Sequence, residues 1–157
     1  MTPFSQILEP PQNPGRFTVM LQATIAFLSV SMADFRCGGD YPVLTTQKDD
    51  GTRVGLIVPS DALSRAPSWK PEDGEPPLSI SEAREAVLEW AEDQYSRFDS
   101  VEVAEISLRS SVSCSTGERW YYVFDLRPIL DGNSFWGSGN WAAVLMDASV
   151  YGTQELK

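Results

Sequence analysis

Residues 79–98, SISEAREAVLEWAEDQYSRF, decide the fold. Ser79 followed three positions later by Glu82 is a capping box, which predicts a helix starting there. Ile80, Ala83, Val87, Ala91 and Phe98, widened by Leu88, Trp90 and Tyr95, recur at helical spacing and predict one broad apolar face. Glu82, Glu85, Glu89 and Glu92 mark the opposite side, and Glu85–Glu89 and Glu89–Asp93 are like-charge neighbours on it.

After the helix the period changes to two. Ala104, Ile106, Leu108, Ser110, Val112 and Cys114 share one face of a predicted strand, and Glu105, Ser107, Arg109, Ser111 and Ser113 share the other. A turn at 115–118 leads to a second strand over 120–126. Trp120, Tyr122, Phe124 and Leu126 alternate there with Tyr121, Val123 and Asp125, and Pro128 is expected to end it. Residues 129–140 read as a Gly-, Asn- and Ser-rich loop carrying Phe135 and Trp136. Residues 141–147, WAAVLMD, read as the last strand, and 153–157 as a polar tail. One face of this meander should lie under the helix and the other be at least partly wet.

Upstream, residues 41–59 read as a hairpin turning at Lys48-Asp49-Asp50-Gly51, and Ser60-Asp61 can cap a short helical turn. A proline-rich connection, APSWKPEDGEPP, follows at 66–77, with Trp69 as its anchor to the domain. The expected class is α+β: one main amphipathic helix packed on an antiparallel sheet of three or more strands, preceded by an N-terminal hairpin. Residues 34–77 would hold the hairpin and connection, and 78–152 the helix-plus-meander domain.

Residues 1–16 contain four prolines and no sustained period. Residues 17–30 are apolar and uncharged, too short for the ~20 residues of a membrane span but the length of a signal-peptide core. Arg16 supplies a positive flank, and Ser31-Met32-Ala33 places small residues at the cleavage positions. Residues 1–33 are therefore expected to be a cleaved leader, giving an exported chain without stable membrane insertion. A buried helix in a cytoplasmic protein is the alternative. Cys37 and Cys114 form one disulfide in the exported reading and two buried thiols in the cytoplasmic one.

Acidic residues outnumber Lys and Arg by 22 to 12, and residues 72–105 hold eleven acids against Arg84 and Arg97. Such a chain is a poor ligand for nucleic acid or anionic membranes and a better one for a basic partner. There is no histidine, which removes Ser–His–Asp and Cys–His catalysis and most zinc sites. No metal or cofactor is expected, and an enzyme is disfavoured. Asp125 and Asp147 are the carboxylates a hydrolase could use if they faced each other.

The strands WYYVFDL (120–126) and WAAVLMDASV (141–150), following one long helix, resemble the cystatin-like and PepSY-like arrangement over residues 78–150. That resemblance implies a curled sheet wrapping the helix. Ala148 stands where a Gly usually follows the closing Asp, and the inhibitory Q-x-V-x-G loop of cystatins is absent.

The leading expectation is a non-enzymatic exported domain binding a protein, peptide or small ligand through Phe135, Trp136, Tyr121 and Trp141. The alternative is a cytoplasmic, immunity-type antagonist of a basic protein, using Glu82, Glu85, Glu89 and Glu92. A carboxylate-based hydrolase is the third reading.

Overall fold

In the computed structural model, the described residues are 40, 42–113, 117–135, 137 and 139–157. The expectations for the leader, Cys37, Cys114 and Trp136 lie outside them. The capping box forms as the sequence predicts: the Glu82 backbone N–H donates to Ser79 Oγ at 3.2 Å, and the Ser79 N–H donates to Glu82 Oε2 at 2.9 Å. Two orphan donors of the first turn are thereby satisfied. The helix, α2, spans Ile80–Gln94 and stops at Tyr95, where the backbone leaves helical geometry (φ −111°, ψ 29°). Ala83, Val87 and Ala91 form its buried stripe, with alanines allowing close approach to the sheet. Burying Val87 alone contributes on the order of 1.5–3 kcal/mol. Ile80, assigned to the same face by spacing, is instead 55% exposed, while Leu78 just before the helix is buried in that core.

Six strands form one curled, wholly antiparallel sheet in the order β1-β2-β7-β6-β4-β3, with a short β5 also paired to β4. They are β1 (Pro42–Gln47), β2 (Arg53–Ile57), β3 (Ser100–Ser113), β4 (Gly117–Leu130), β5 (Asn133–Ser134), β6 (Trp141–Leu145) and β7 (Val150–Glu155). A short helix, α1 (Ser60–Arg65), lies between β2 and α2. The sheet carries an apolar layer on each face, as alternation requires. Tyr122, Phe124, Leu126, Ala142, Val144 and Met146 pack with the α2 stripe, Leu78 and Trp69. Tyr121, Val123, Ala143, Leu145 and Leu56 pack with Ala62, Leu63 and Ala66 of α1 and its exit. The second face, expected to be partly wet, is thus apolar beneath α1, while Glu102, Glu105 and Arg109 on β3 stay exposed.

Five local expectations are corrected. Ser60 is the first residue of α1, not its cap; its N–H donates 2.8 Å to Asp40 Oδ1, a carboxylate twenty residues away. Asp61 pairs along the helix with Arg65 at 2.8 Å. In β3 the register on β4 slips at Ala104, so Val103 lies opposite Leu126 and Glu105 opposite Asp125. This bulge changes the phase, placing Val101 and Val103 with Ile106 against the α2 core and leaving Ala104 exposed.

Pro128 does not end its strand. It is fully buried opposite Val101, and its carbonyl accepts the Phe135 N–H at 2.9 Å. That bond shows its polar edge turned away from β3, so the missing N–H costs no bond to β3. The expected loop at 129–140 begins as a two-residue turn, with both Asp131 (φ 51°) and Gly132 (φ 72°) left-handed. β5 and β6 then pair with the same edge of β4 out of step: four residues on β4 separate Ile129 from Asp125, but seven separate their partners Ser134 and Trp141. Finally, most of the expected tail belongs to β7, an inner strand whose Glu155 pairs with Val54 and whose Gly152 pairs with Ala142. No helix among the described residues is long and apolar enough to cross a membrane.

Candidate functional site

Where the chain leaves α2, four aromatic rings make a ladder from the sheet to the surface. Trp90 meets Tyr95 edge-to-face at 6.3 Å, Tyr95 meets Phe98 at 6.1 Å, and Phe98 meets Phe135 at 5.5 Å. These are the tilted arrangements aromatic quadrupoles favour, each contributing roughly 0.5–1.5 kcal/mol beyond burial. The Phe98 N–H bonds to the Tyr95 carbonyl at 2.8 Å, a tight turn that swings Phe98 outward from the helix end. The Arg97 guanidinium lies 4.9 Å from the Phe98 ring centroid. Phe135, 46% exposed, is fixed from both sides: its ring by Phe98 and its N–H by Pro128. The Asp99 carboxylate accepts the Asp131 N–H at 2.7 Å, tying the helix exit to the β4–β5 turn. The outcome is a half-exposed aromatic edge with a cation on one ring and the Asp99 carboxylate bonded to the adjoining turn. Such an edge can take an apolar or aromatic side chain and a neighbouring charge.

The four aromatics named from sequence do not form one patch. Tyr121 is buried in the core on the α1 face, where burial raises its phenol pKa and the charge of Arg109 offsets part of that rise. Trp141 packs half-buried against the same core, directly opposite Asp125. Phe135 alone of the described three presents a large exposed ring. Phe98 and Arg97 were missed as partners of Phe135. Their proximity depends on the Asp131-Gly132 turn, which a D-G pair directly after Ile129-Leu130 does signal.

The acidic side of α2 is laid out as its spacing predicts, with Glu82, Glu85, Glu89 and Glu92 all exposed. Glu82 has structural work: hydrogen bonds from Ser79, first its side chain and then its backbone, lower its carboxyl pKa. Glu85, Glu89 and Glu92 have no ion-pair partner among the described residues.

The carboxylates do not assemble a hydrolytic pair. Asp125 lies opposite the start of β6, whereas Asp147 is beyond its end, where Oδ1 accepts the Ser149 N–H at 3.0 Å. At about 3.3 Å per residue that places them roughly 15–20 Å apart, outside the range for paired carboxylate chemistry. Asp125 is nevertheless perturbed. Burial raises its pKa, Glu105 raises it further, and Arg127 and a hydrogen bond from Trp141 oppose the shift. Among the described residues no group of three or more acidic, Cys or His side chains could hold a metal ion. No family model, curated protein or solved structure matches the chain.

Proposed function

We propose that this chain is a non-enzymatic, exported binding domain that takes a peptide or small ligand on the Phe98–Phe135 edge. The observation that carries the reading is the half-exposed ring of Phe135, in contact with Phe98 and with its backbone N–H bonded to the Pro128 carbonyl. An ordered aromatic loses little entropy on binding, which suits it to an anchor role. Arg97 over Phe98 adds a preference for an acidic group beside the apolar one. Element order over residues 78–150, one helix and then successive antiparallel strands, supports the cystatin-like or PepSY-like reading. In it, β1 and β2 are an N-terminal hairpin added beyond β7.

The test is panning of a displayed random-peptide library on the purified chain. Sequences combining an aromatic and an acidic residue should be enriched by the native chain and not by Phe135→Ala. Equal enrichment by both would discard the site. Export is tested separately by mass spectrometry of protein from its native host. A first residue near Asp34 is expected, and an intact Met1 overturns it.

Glu85, Glu89 and Glu92, which have no ion-pair partner among the described residues, favour one second reading, an antagonist that masks a basic protein. In that case Glu85→Lys with Glu89→Lys abolishes capture of a basic partner, while Phe135→Ala leaves it intact.

A further inference from the structure

We propose that the chain pairs with a second copy of itself along the free edge of β3, antiparallel, with Ser107 on the twofold axis. β3 ends the sheet, and no strand among the described residues pairs with its outer edge over fourteen residues. The Leu126 N–H bonds the Asn140 carbonyl, so even-numbered residues of β4 turn their polar groups toward β6 and odd-numbered ones toward β3. Through the register of β3 on β4, Glu105, Ser107 and Arg109 then bond inward, and Ile106, Leu108, Ser110 and Val112 turn free N–H and C=O groups outward.

The side chains select the partner. Glu105 and Arg109 are exposed and have no ion-pair partner among the described residues. Leu108 is 39% and Val112 64% exposed on the α2 side of the same strand. With Ser107 opposite Ser107 of the second copy, Glu105 faces Arg109 of the other chain in two symmetric pairs. These are non-hydrogen-bonded positions, where cross-strand side chains lie closest. Leu108 then faces Ile106 of the second copy through a hydrogen-bonded pair. Carried past the bulge at Ala104, the same register sets Val112 opposite Val101. Moving the axis to Glu105 or Arg109 opposes like charges. An axis at Leu108 keeps apolar neighbours but leaves both charges facing serine, and one at Ile106 leaves Val112 opposite Asp99. Charges that only discourage edge aggregation need not be self-complementary; these are, in the register that also covers both exposed apolar side chains.

The test is sedimentation velocity of the full-length chain and two variants, Glu105→Arg and Arg109→Glu, with circular dichroism confirming the fold. Native protein should sediment as a dimer with a Kd of about 10–100 µM or tighter, weakening as salt rises. Each reversal changes both symmetric pairs and should weaken self-association roughly 10- to 100-fold. Mixing the two variants restores complementarity and should give a heterodimer of near-native affinity. A monomeric native chain at about 100 µM, a dimer indifferent to either reversal, or variants that stay monomeric on mixing would each overturn the proposal.

Discussion

The indole of Trp90 lies against the backbone of Gly152, filling the space a side chain at 152 would need. Gly152 lies within the seventh strand, β7, between β2 and β6, and the Trp90 ring of the main helix packs directly on it. Gly152→Ala would drive a methyl group into the ring, and the φ of Gly152 lies outside the left-handed region, so the cost is steric. Overpacking of this kind costs about 1–3 kcal/mol. Thermal unfolding should fall by roughly 2–4 °C for each kcal/mol in a chain of this size. In a double-mutant cycle, Trp90→Leu should relieve much of the Gly152→Ala penalty; purely additive losses would mean the two residues do not share that space.

Ala148 has the opposite problem. It occupies the β6–β7 turn with φ 66°, a left-handed conformation that L side chains with a Cβ resist. The Leu145 carbonyl accepts its N–H at 2.9 Å, and Leu145 donates to the Ser149 carbonyl at 2.9 Å, so the turn is pinned in that shape. Ala148→Gly removes the Cβ clash and should stabilise the fold by about 0.5–1 kcal/mol after the added freedom of the unfolded chain is deducted. The urea midpoint should rise with an unchanged m-value.

Residues whose behaviour depends on neighbours a few positions away were legible in the sequence. The Ser79–Glu82 box, the Ala83–Val87–Ala91 stripe and the alternation of β4 all follow from spacing within one element. What depended on distant chain was not. The Ala104 bulge is visible only when β3 is laid on β4, since Ala is as acceptable in phase as out of it. Gly152 and the residues around it look like a polar end until Trp90 and β2 flank them. Alternation alone puts Tyr121 opposite the α2 face, where a ring could stack on a ligand, but Ala62, Leu63 and Ala66 cover that side. Asp131-Gly132 was the one missed feature with a local signal, and recognising it would have put Phe135 on a return strand near the helix end.

Tyr122 joins the sheet to the start of α2 by a buried hydrogen bond, its hydroxyl donating to the Leu78 carbonyl at 3.0 Å. Tyr122→Phe keeps the ring and removes the donor, leaving a buried carbonyl without that partner. The expected loss is about 1–2 kcal/mol. Amide exchange should quicken most in the first turn of α2, where the Ser79 cap sits one residue beyond the lost bond. Uniform acceleration across the sheet would instead assign the loss to global stability alone.

Asp125 gives the fold a pH dependence of unusual sign for a carboxylate. Burial, reinforced by Glu105, raises its folded pKa above the ordinary aspartate value of 3.8, against the opposing effects of Arg127 and the Trp141 hydrogen bond. The folded state therefore holds this proton more tightly than the unfolded chain does. Stability from this group is fully present below the unfolded value and is lost as pH rises through the raised folded value. Asp50, Asp61 and Glu82 act oppositely: hydrogen bonds lower their pKa values, so their contributions disappear as pH falls. Asp125→Asn cannot ionise, and its side-chain oxygen can still accept from Trp141. The variant should be more stable than the native chain at pH 7, with the difference shrinking toward pH 3, while the other three carboxylates cancel in the comparison. Urea unfolding at both pH values measures this. A variant destabilised more at pH 7 than at pH 3 would show that the ionised carboxylate is held favourably by Arg127 and Trp141, and a difference equal at both pH values would show that burial leaves the Asp125 pKa unshifted.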